Sequence, residues 1–184
     1  LHLCDYNLEN ISDFDNINNH TLLVDVCLAA KYEGQSISVQ HGQYHTDSSG
    51  STICTMLARS FADIGDIIRG KDLYIRNKRE KRRLEDNLKK IFKKIYEELI
   101  KKKTNGKTLQ TRYEDATGNY FQLREDWWDA NREKVWKAIT CGAGGGKYFR
   151  ATCGRGEIPY VTPSKCQCVT DVPTYFDYVP QFLR

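Results

Sequence analysis

Seven cysteines are the side chains with the widest chemistry in this 184-residue sequence: Cys4, Cys27, Cys54, Cys141, Cys153, Cys166 and Cys168. That density is ordinary for an oxidised, extracellular protein and unusual for a cytosolic one. The odd number predicts one cysteine that is free or bonded outside the chain. Cys141 and Cys153 flank a glycine-rich segment, and we predict a local disulfide between them. Cys166 and Cys168 are predicted to bond to different partners, as cysteines this close in sequence usually do. A zinc site is disfavoured, because it would need a second pair of cysteines at ligand spacing.

The other candidates for chemistry are histidines and aspartates. His41 and His45 have the spacing of a helical metal pair, but their surroundings are polar and contain glycine, and no third ligand is evident. We interpret Asp63, Asp66 and Asp72 as surface or capping acids, since no matching histidine or metal-loop spacing accompanies them. No Ser/His/Asp, Cys/His or paired-carboxylate arrangement appears. The sequence therefore predicts no catalytic residue, no metal, no cofactor and no enzymatic activity.

A glycine-rich run at residues 141–148 is similar to a phosphate-binding loop but lacks three of its features. The first required glycine is Cys141, Tyr148 stands where Ser or Thr is needed, and the preceding element is a predicted helix rather than a strand. We interpret the run as a flexible loop.

Apolar residues recur every three or four positions, which predicts an all-α fold. Asn19 is a plausible N-cap for the first helix, and Gly34 is predicted to end it before a polar connection over 35–51. Gly65 indicates close helix packing, and Gly70 ends the second helix. Helices are predicted over 22–33, 51–68, 79–102 and 124–140, with a short element in 109–123 and the start of another helix in 175–183.

The third predicted helix carries most of the positive charge. Residues 76–103 contain 13 Lys and Arg against 5 Asp and Glu, a net charge of +8, whereas the rest of the chain carries −4. The predicted apolar stripe leaves a basic face, which favours a polyanionic partner such as a sulfated glycan. The alternative is a solvated helix face without a ligand. The candidate polyanion contacts opposite the apolar stripe are Arg79, Arg82, Lys89 and Lys93.

Six short segments occur together and in order: LCDYNLE at 3–9, LAAKYEG at 28–34, DIGDIIRG at 63–70, REDWW at 124–128, VWKAITC at 135–141 and PTYFDYVPQFLR at 173–184. Together they resemble the Duffy-binding-like domain, alpha class, of the Plasmodium falciparum erythrocyte membrane protein family of variant surface antigens. The resemblance covers nearly the whole chain.

The resemblance implies a disulfide-bonded helical bundle. Residues 1–45 would form the end of the first subdomain, as a loop plus a helix, and residues 46–184 the second subdomain, with the third missing. It also implies that Cys4 bonds to a cysteine outside the chain. Cys27 and Cys54 would bond to Cys166 and Cys168, and the order of that pairing stays open.

The resemblance further implies a non-enzymatic adhesion domain on the extracellular face of the infected erythrocyte membrane. Its partners would be host erythrocyte or endothelial receptors, in rosetting or cytoadherence. Heparan sulfate-like glycans, blood-group sugars and complement receptor one are the ligands implied, and membrane attachment would lie in a C-terminal part of the parent protein. Two alternatives remain: a structural or antigenic segment whose receptor site lies in the missing subdomains, or a nucleic-acid-binding helical domain, which oxidised cysteines disfavour.

Overall fold

Five α-helices make up most of the chain in a computed structural model that describes residues 17–44, 51–73, 78–101, 106–144, 148, 150–154 and 158–184. No strand forms within these ranges, although two isolated antiparallel bridges do. The predicted all-α fold is confirmed. The helices are α1 (Asn19–Tyr44), α2 (Ser51–Arg69), α3 (Lys78–Lys101), α4 (Gly106–Tyr113) and α5 (Phe121–Ile139).

Helix α5 lies at the centre and contacts the other four helices. Its three tryptophans are all buried, and Trp128 and Trp136 pack against Phe61 of α2 with ring centroids 5.1 and 5.2 Å away. Trp127 meets Phe92 of α3 edge to face at 6.1 Å. Aromatic pairs of this kind add stabilisation beyond the apolar area they bury. The core therefore forms around α5.

The N-terminus of α1 is capped by Asn18 rather than by Asn19. The Asn18 Oδ1 accepts the backbone N–H groups of His20 and Thr21 at 2.8 and 3.1 Å. The Asn19 Oδ1 instead accepts the Trp127 indole N–H at 2.6 Å. The predicted cap was one residue late because the Asn19 side chain binds α5.

The sequence predicts that helix α1 ends at Gly34, but the helix continues to Tyr44. A Cβ on Gly34 would lie 1.9 Å from the backbone oxygen of Ile139. Glycine is therefore needed at this position for close approach to α5 and not for a turn. The predicted connection over 35–51 is wrong for residues 35–44, and His41 lies on α1, whereas His45 lies outside the described residues.

Gly65 and Gly70 behave as predicted. A Cβ on Gly65 would come within 2.8 Å of Trp128 Cζ2, so its absence lets α5 pack closely on α2. Gly70 ends α2 with a φ of 74°, a left-handed conformation that glycine adopts without strain. The Lys71 N–H then donates to the backbone oxygen of Asp66 at 2.8 Å, which satisfies a carbonyl of the last turn.

The C-terminal segment forms two short 3-10 helices, Phe176–Tyr178 and Gln181–Leu183, and not the start of an α-helix. Pro180 separates them. Proline has no backbone N–H and disfavours helical geometry in the residue before it, and Val179 is extended with φ −87° and ψ 130°.

Two disulfides close the described part of the chain. Cys54 of α2 bonds to Cys166, one of the two partners that the resemblance implied for it. Cys153 bonds to Cys168. Cys166 and Cys168 thus have different partners, as predicted, and the nearby Asp171 carboxylate faces a disulfide rather than two free thiols.

Two predicted pairings are wrong. Cys141 is exposed and forms no disulfide within the described residues. Its predicted partner Cys153 instead pairs with Tyr160 in an antiparallel bridge and bonds to Cys168, with 5.3 Å between the two Cα atoms of the disulfide. Cys27 forms no disulfide with Cys166 or Cys168, which are already bonded. The predicted external bond of Cys4 lies outside the described residues.

Candidate functional site

The basic helix α3 has one apolar and one basic face. Its apolar side chains are buried against the bundle, in a single stripe along the helix. Glu80 lies in the first turn and Lys101 in the last, where each charge complements the helix dipole. The helix is therefore held by its apolar face, and the basic face lies on the opposite side. The stripe consists of Leu84, Leu88, Ile91, Phe92 and Ile95.

Arg124 of α5 fixes the orientation of α3. Its guanidinium is fully buried and binds both carboxylate oxygens of Glu85, at 2.7 and 2.9 Å. Its Nε and Nη2 donate to the backbone oxygens of Ile68 and Ile67 at 2.6 and 3.1 Å. A single arginine thus connects α5, the end of α2 and the buried edge of α3. Such bidentate pairs fix geometry as well as adding energy.

The structure divides the four predicted polyanion contacts. Arg79, Arg82 and Lys93 are exposed, whereas Lys89 is half-buried. Within the described chain, the side chains of Arg82, Lys89 and Lys93 take part in no ion pair. Arg79 and Arg82 line a groove of about 570 Å³, which Lys89 and Lys93 do not reach. Two of the four predicted residues therefore line the groove, and the other two lie outside its lining.

The groove contains two cations that sequence reasoning missed, Arg83 and Lys90. They follow Arg79 by four and eleven residues, spacings that place all three on one helix face. That spacing was available in the sequence. The four predicted contacts are defined as positions opposite the apolar stripe, and Arg83 and Lys90 are not among them. The complete lining is Arg79, Arg82, Arg83, Asp86, Asn87 and Lys90.

The chemistry of this groove is that of anion binding. Four cations and one carboxylate give the lining a net charge of +3, and Asn87 adds an amide. Arginine forks bind planar or tetrahedral oxyanions through paired N–H groups. The lining contains no histidine, cysteine or hydroxyl group that would serve as a base or nucleophile. The groove can hold a sulfate or carboxylate group.

The sequence predicts three surface or capping acids; all three form ion pairs, and Asp66 is buried rather than at the surface. Asp66 is buried and pairs with Arg184, which also lies 3.5 Å from Asp63. Burial raises the pKa of Asp63 and of Asp66, and the positive charge of Arg184 opposes that rise. Asp72 pairs with Lys81 of α3 at 3.6 Å. These acids tie the C-terminal segment and α3 to the end of α2, which local spacing did not reveal.

All of residues 1–184 match the family model of the Duffy binding domain. The chain belongs to the Duffy binding domain family. A search of curated protein sequences gives no match. Within the described ranges, this Duffy binding domain has no helix both long and apolar enough to cross a bilayer.

Solved structures of Plasmodium falciparum membrane protein 1 (PfEMP1) show the same fold. The NTS-DBL1(alpha-1) domain of the varO strain is 42% identical, with a TM-score of 0.80 over 99% of this chain and 40% of that one. The ICAM-1-binding IT4var13 DBLbeta domain is 33% identical, with a TM-score of 0.70 over 100% and 39%.

A DBLb domain bound to human ICAM-1 is 32% identical, with a TM-score of 0.70 over 98% of this chain and 36% of that one. The Duffy binding domain described here therefore spans about two fifths of the length of these relatives. Its identity to the alpha domain is higher than to these two beta domains, in agreement with the alpha-class motifs of its sequence.

Proposed function

We propose that this Duffy binding domain is a non-enzymatic adhesion domain that binds a host-cell surface receptor, and that the groove on α3 binds the anionic groups of a sulfated glycan. The observation that carries the proposal is the ring of cations Arg79, Arg82, Arg83 and Lys90 around one groove. The binding of ICAM-1 by two similar PfEMP1 domains supports a receptor-binding role in general.

The chemistry of the rest of the chain agrees with an extracellular location. Two disulfides, one of them joining residues 112 apart in sequence, are typical of oxidising surroundings. From the similarity to PfEMP1 domains we infer that the domain lies on the outer face of the infected erythrocyte membrane, and the disulfides support an extracellular location. Rosetting through heparan sulfate-like glycans is the form of adhesion that the groove favours, whereas blood-group sugars and complement receptor one remain proposals from family membership alone.

The division of the chain into residues 1–45 and 46–184 stays a proposal of the same kind. Helix α1 runs in the same direction as α5, with Asn19 beside Trp127 and Gly34 beside Ile139. This extended contact would join the first-subdomain part to the second, so the two parts should unfold together.

The glycan proposal is tested by heparin chromatography of the oxidised chain across a salt gradient. The test variant reverses two groove charges, Arg79→Glu and Arg82→Glu. The control reverses two exposed lysines elsewhere, Lys31→Glu on α1 and Lys137→Glu on α5. Both variants change the net charge by the same amount, so a non-specific charge effect would move them equally.

We expect the groove variant to elute at much lower salt than the control variant, because screened ion pairs with sulfate groups are lost at one site. Equal elution of both variants would show that heparin binding depends on net charge alone and not on the groove. Early elution of the unaltered chain would move the receptor site to the segments that the longer relatives contain, and would favour the structural or antigenic alternative.

A further inference from the structure

The groove on α3 is not uniformly positive. Asp86 lies among its cations, four residues after Arg82, three after Arg83 and four before Lys90, so all four side chains share one face. The Asp86 side chain is exposed and lines the groove, whereas Asn87 beside it is buried. A groove selected only for the strength of its positive field would have no carboxylate in its lining.

A carboxylate at this position has two effects on a bound polymer. It accepts hydrogen bonds from hydroxyl groups, and it repels any anionic group that comes close to it. A sulfated sugar chain carries hydroxyl groups between its sulfates and carboxylates, so it can place a hydroxyl at Asp86 and its anions at the arginines. Inorganic polyphosphate carries a charge on every repeat and has no hydroxyl to offer along its chain.

We infer that Asp86 is a specificity-determining residue, which selects sulfated sugar chains and rejects inorganic polyphosphate. This inference rests on the proposed glycan-binding function and names the feature of the ligand that the groove recognises. The arginines and Lys90 provide attraction common to all polyanions, and Asp86 discriminates among them. Discrimination by a repulsive group is a general route to specificity.

The test compares two ligands on the same protein at one ionic strength. A heparin octasaccharide and inorganic polyphosphate of matched charge are titrated into the oxidised chain and into Asp86→Asn. Removal of the carboxylate should strengthen polyphosphate binding about fivefold, the effect of one nearby like charge in aqueous surroundings. Heparin affinity should stay the same or fall, because the amide keeps an acceptor but loses the charge-assisted hydrogen bond.

Two matched variants separate this effect from a change in net charge. Glu98→Gln removes one exposed carboxylate from the same helix outside the groove, and its heparin-to-polyphosphate ratio should equal that of the unaltered chain. Asp86→Glu keeps the charge in the groove and should keep the preference for heparin.

The outcomes distinguish the two proposals. If Asp86→Asn changes both affinities by the same factor, or no more than Glu98→Gln does, the inference about Asp86 is wrong while the glycan-binding function stands. If the unaltered chain binds no heparin, the proposed function fails and this inference fails with it. A selective gain of polyphosphate binding in Asp86→Asn alone supports both.

Discussion

Arg124 of α5 and Glu85 of α3 form two parallel hydrogen bonds, Nη1 to Oε1 at 2.7 Å and Nη2 to Oε2 at 2.9 Å. The same guanidinium donates to the last turn of α2, so the basic helix has a fixed orientation on the bundle. The groove on α3 therefore depends on a residue that does not line it.

We expect Arg124→Ala to destabilise the fold by about 1–3 kcal/mol, because buried carbonyl groups at the end of α2 lose their donors, whereas Glu85 is partly exposed and can be solvated. The free energy of unfolding is measured by chemical denaturation. Lys137→Ala is the matched control, because it removes an exposed pair with Glu133 that should contribute less than about 1 kcal/mol. Similar costs for the two variants would contradict the anchoring role of Arg124.

The two parts of the basic face should contribute unequally to heparin binding. Arg82→Glu with Arg83→Glu removes two groove cations, whereas Lys89→Glu with Lys93→Glu reverses two charges outside the groove. The first pair should lower the elution salt more than the second, since groove cations contact one anionic group together. A larger effect of the lysine pair would indicate that heparin binds around Lys89 and Lys93 rather than in the groove.

Gly65→Ala should destabilise the fold by about 1–3 kcal/mol through overpacking, because the new methyl group would lie 2.8 Å from the Trp128 ring. Gly42→Ala is the control within α1, where a Cβ meets no atom within 4 Å. That substitution should stabilise the helix by up to about 1 kcal/mol. Thermal denaturation of both variants measures the difference, and a neutral Gly65→Ala would show that α2 and α5 are less closely packed.

Trp128→Ala should cost about 3–5 kcal/mol, since a fully buried indole would be replaced by a cavity. Its N–H also donates to the buried Asp177 carboxylate at 2.9 Å, and Trp128→Phe would remove that bond while keeping most of the apolar volume. Denaturation of the two variants separates packing from hydrogen bonding. A near-unchanged stability of Trp128→Ala with lost ligand binding would instead make the indole a ligand contact.

The two cysteines that form no disulfide within the described residues should differ in reactivity toward an alkylating reagent. Cys141 is exposed and should be labelled first in the native protein. Burial raises the pKa of Cys27, so less thiolate is present near neutral pH and its labelling should be slow until the pH exceeds the ordinary thiol value. Mass spectrometry of the labelled peptides also tests the Cys54–Cys166 and Cys153–Cys168 bonds. A Cys27 that stays unlabelled even in denaturant would indicate a disulfide with a cysteine outside the described residues.

Sequence reasoning succeeded for helices whose burial is one-sided. Leu84 and Leu88 on α3 and the apolar stripe of α2 have single-face periodicity, which local spacing reveals. It failed at Gly34, because a glycine that ends a helix and a glycine that admits another helix look the same in one sequence. Only the contact with Ile139 distinguishes them.

The disulfide pairing could not be predicted from spacing. Their spacing predicts a local bond between Cys141 and Cys153. In the structure, Cys153 pairs with Tyr160 in an antiparallel bridge and bonds to Cys168. The groove was half predictable. Arg83 and Lys90 follow from helical spacing. The position of Asp86 in the lining of the groove could be recognised only from the structure.

The Cys54–Cys166 bond also determines how the domain responds to mechanical tension. It joins residues 112 apart in sequence with their Cα atoms 5.5 Å from each other. Helices α3, α4 and α5 lie wholly inside this covalent loop. A force that pulls on the chain before residue 54 and after residue 166 passes through the sulfur atoms and cannot stretch those helices. When tension acts on both ends of the chain, helix α3 would keep its shape while the chain outside the loop extends first.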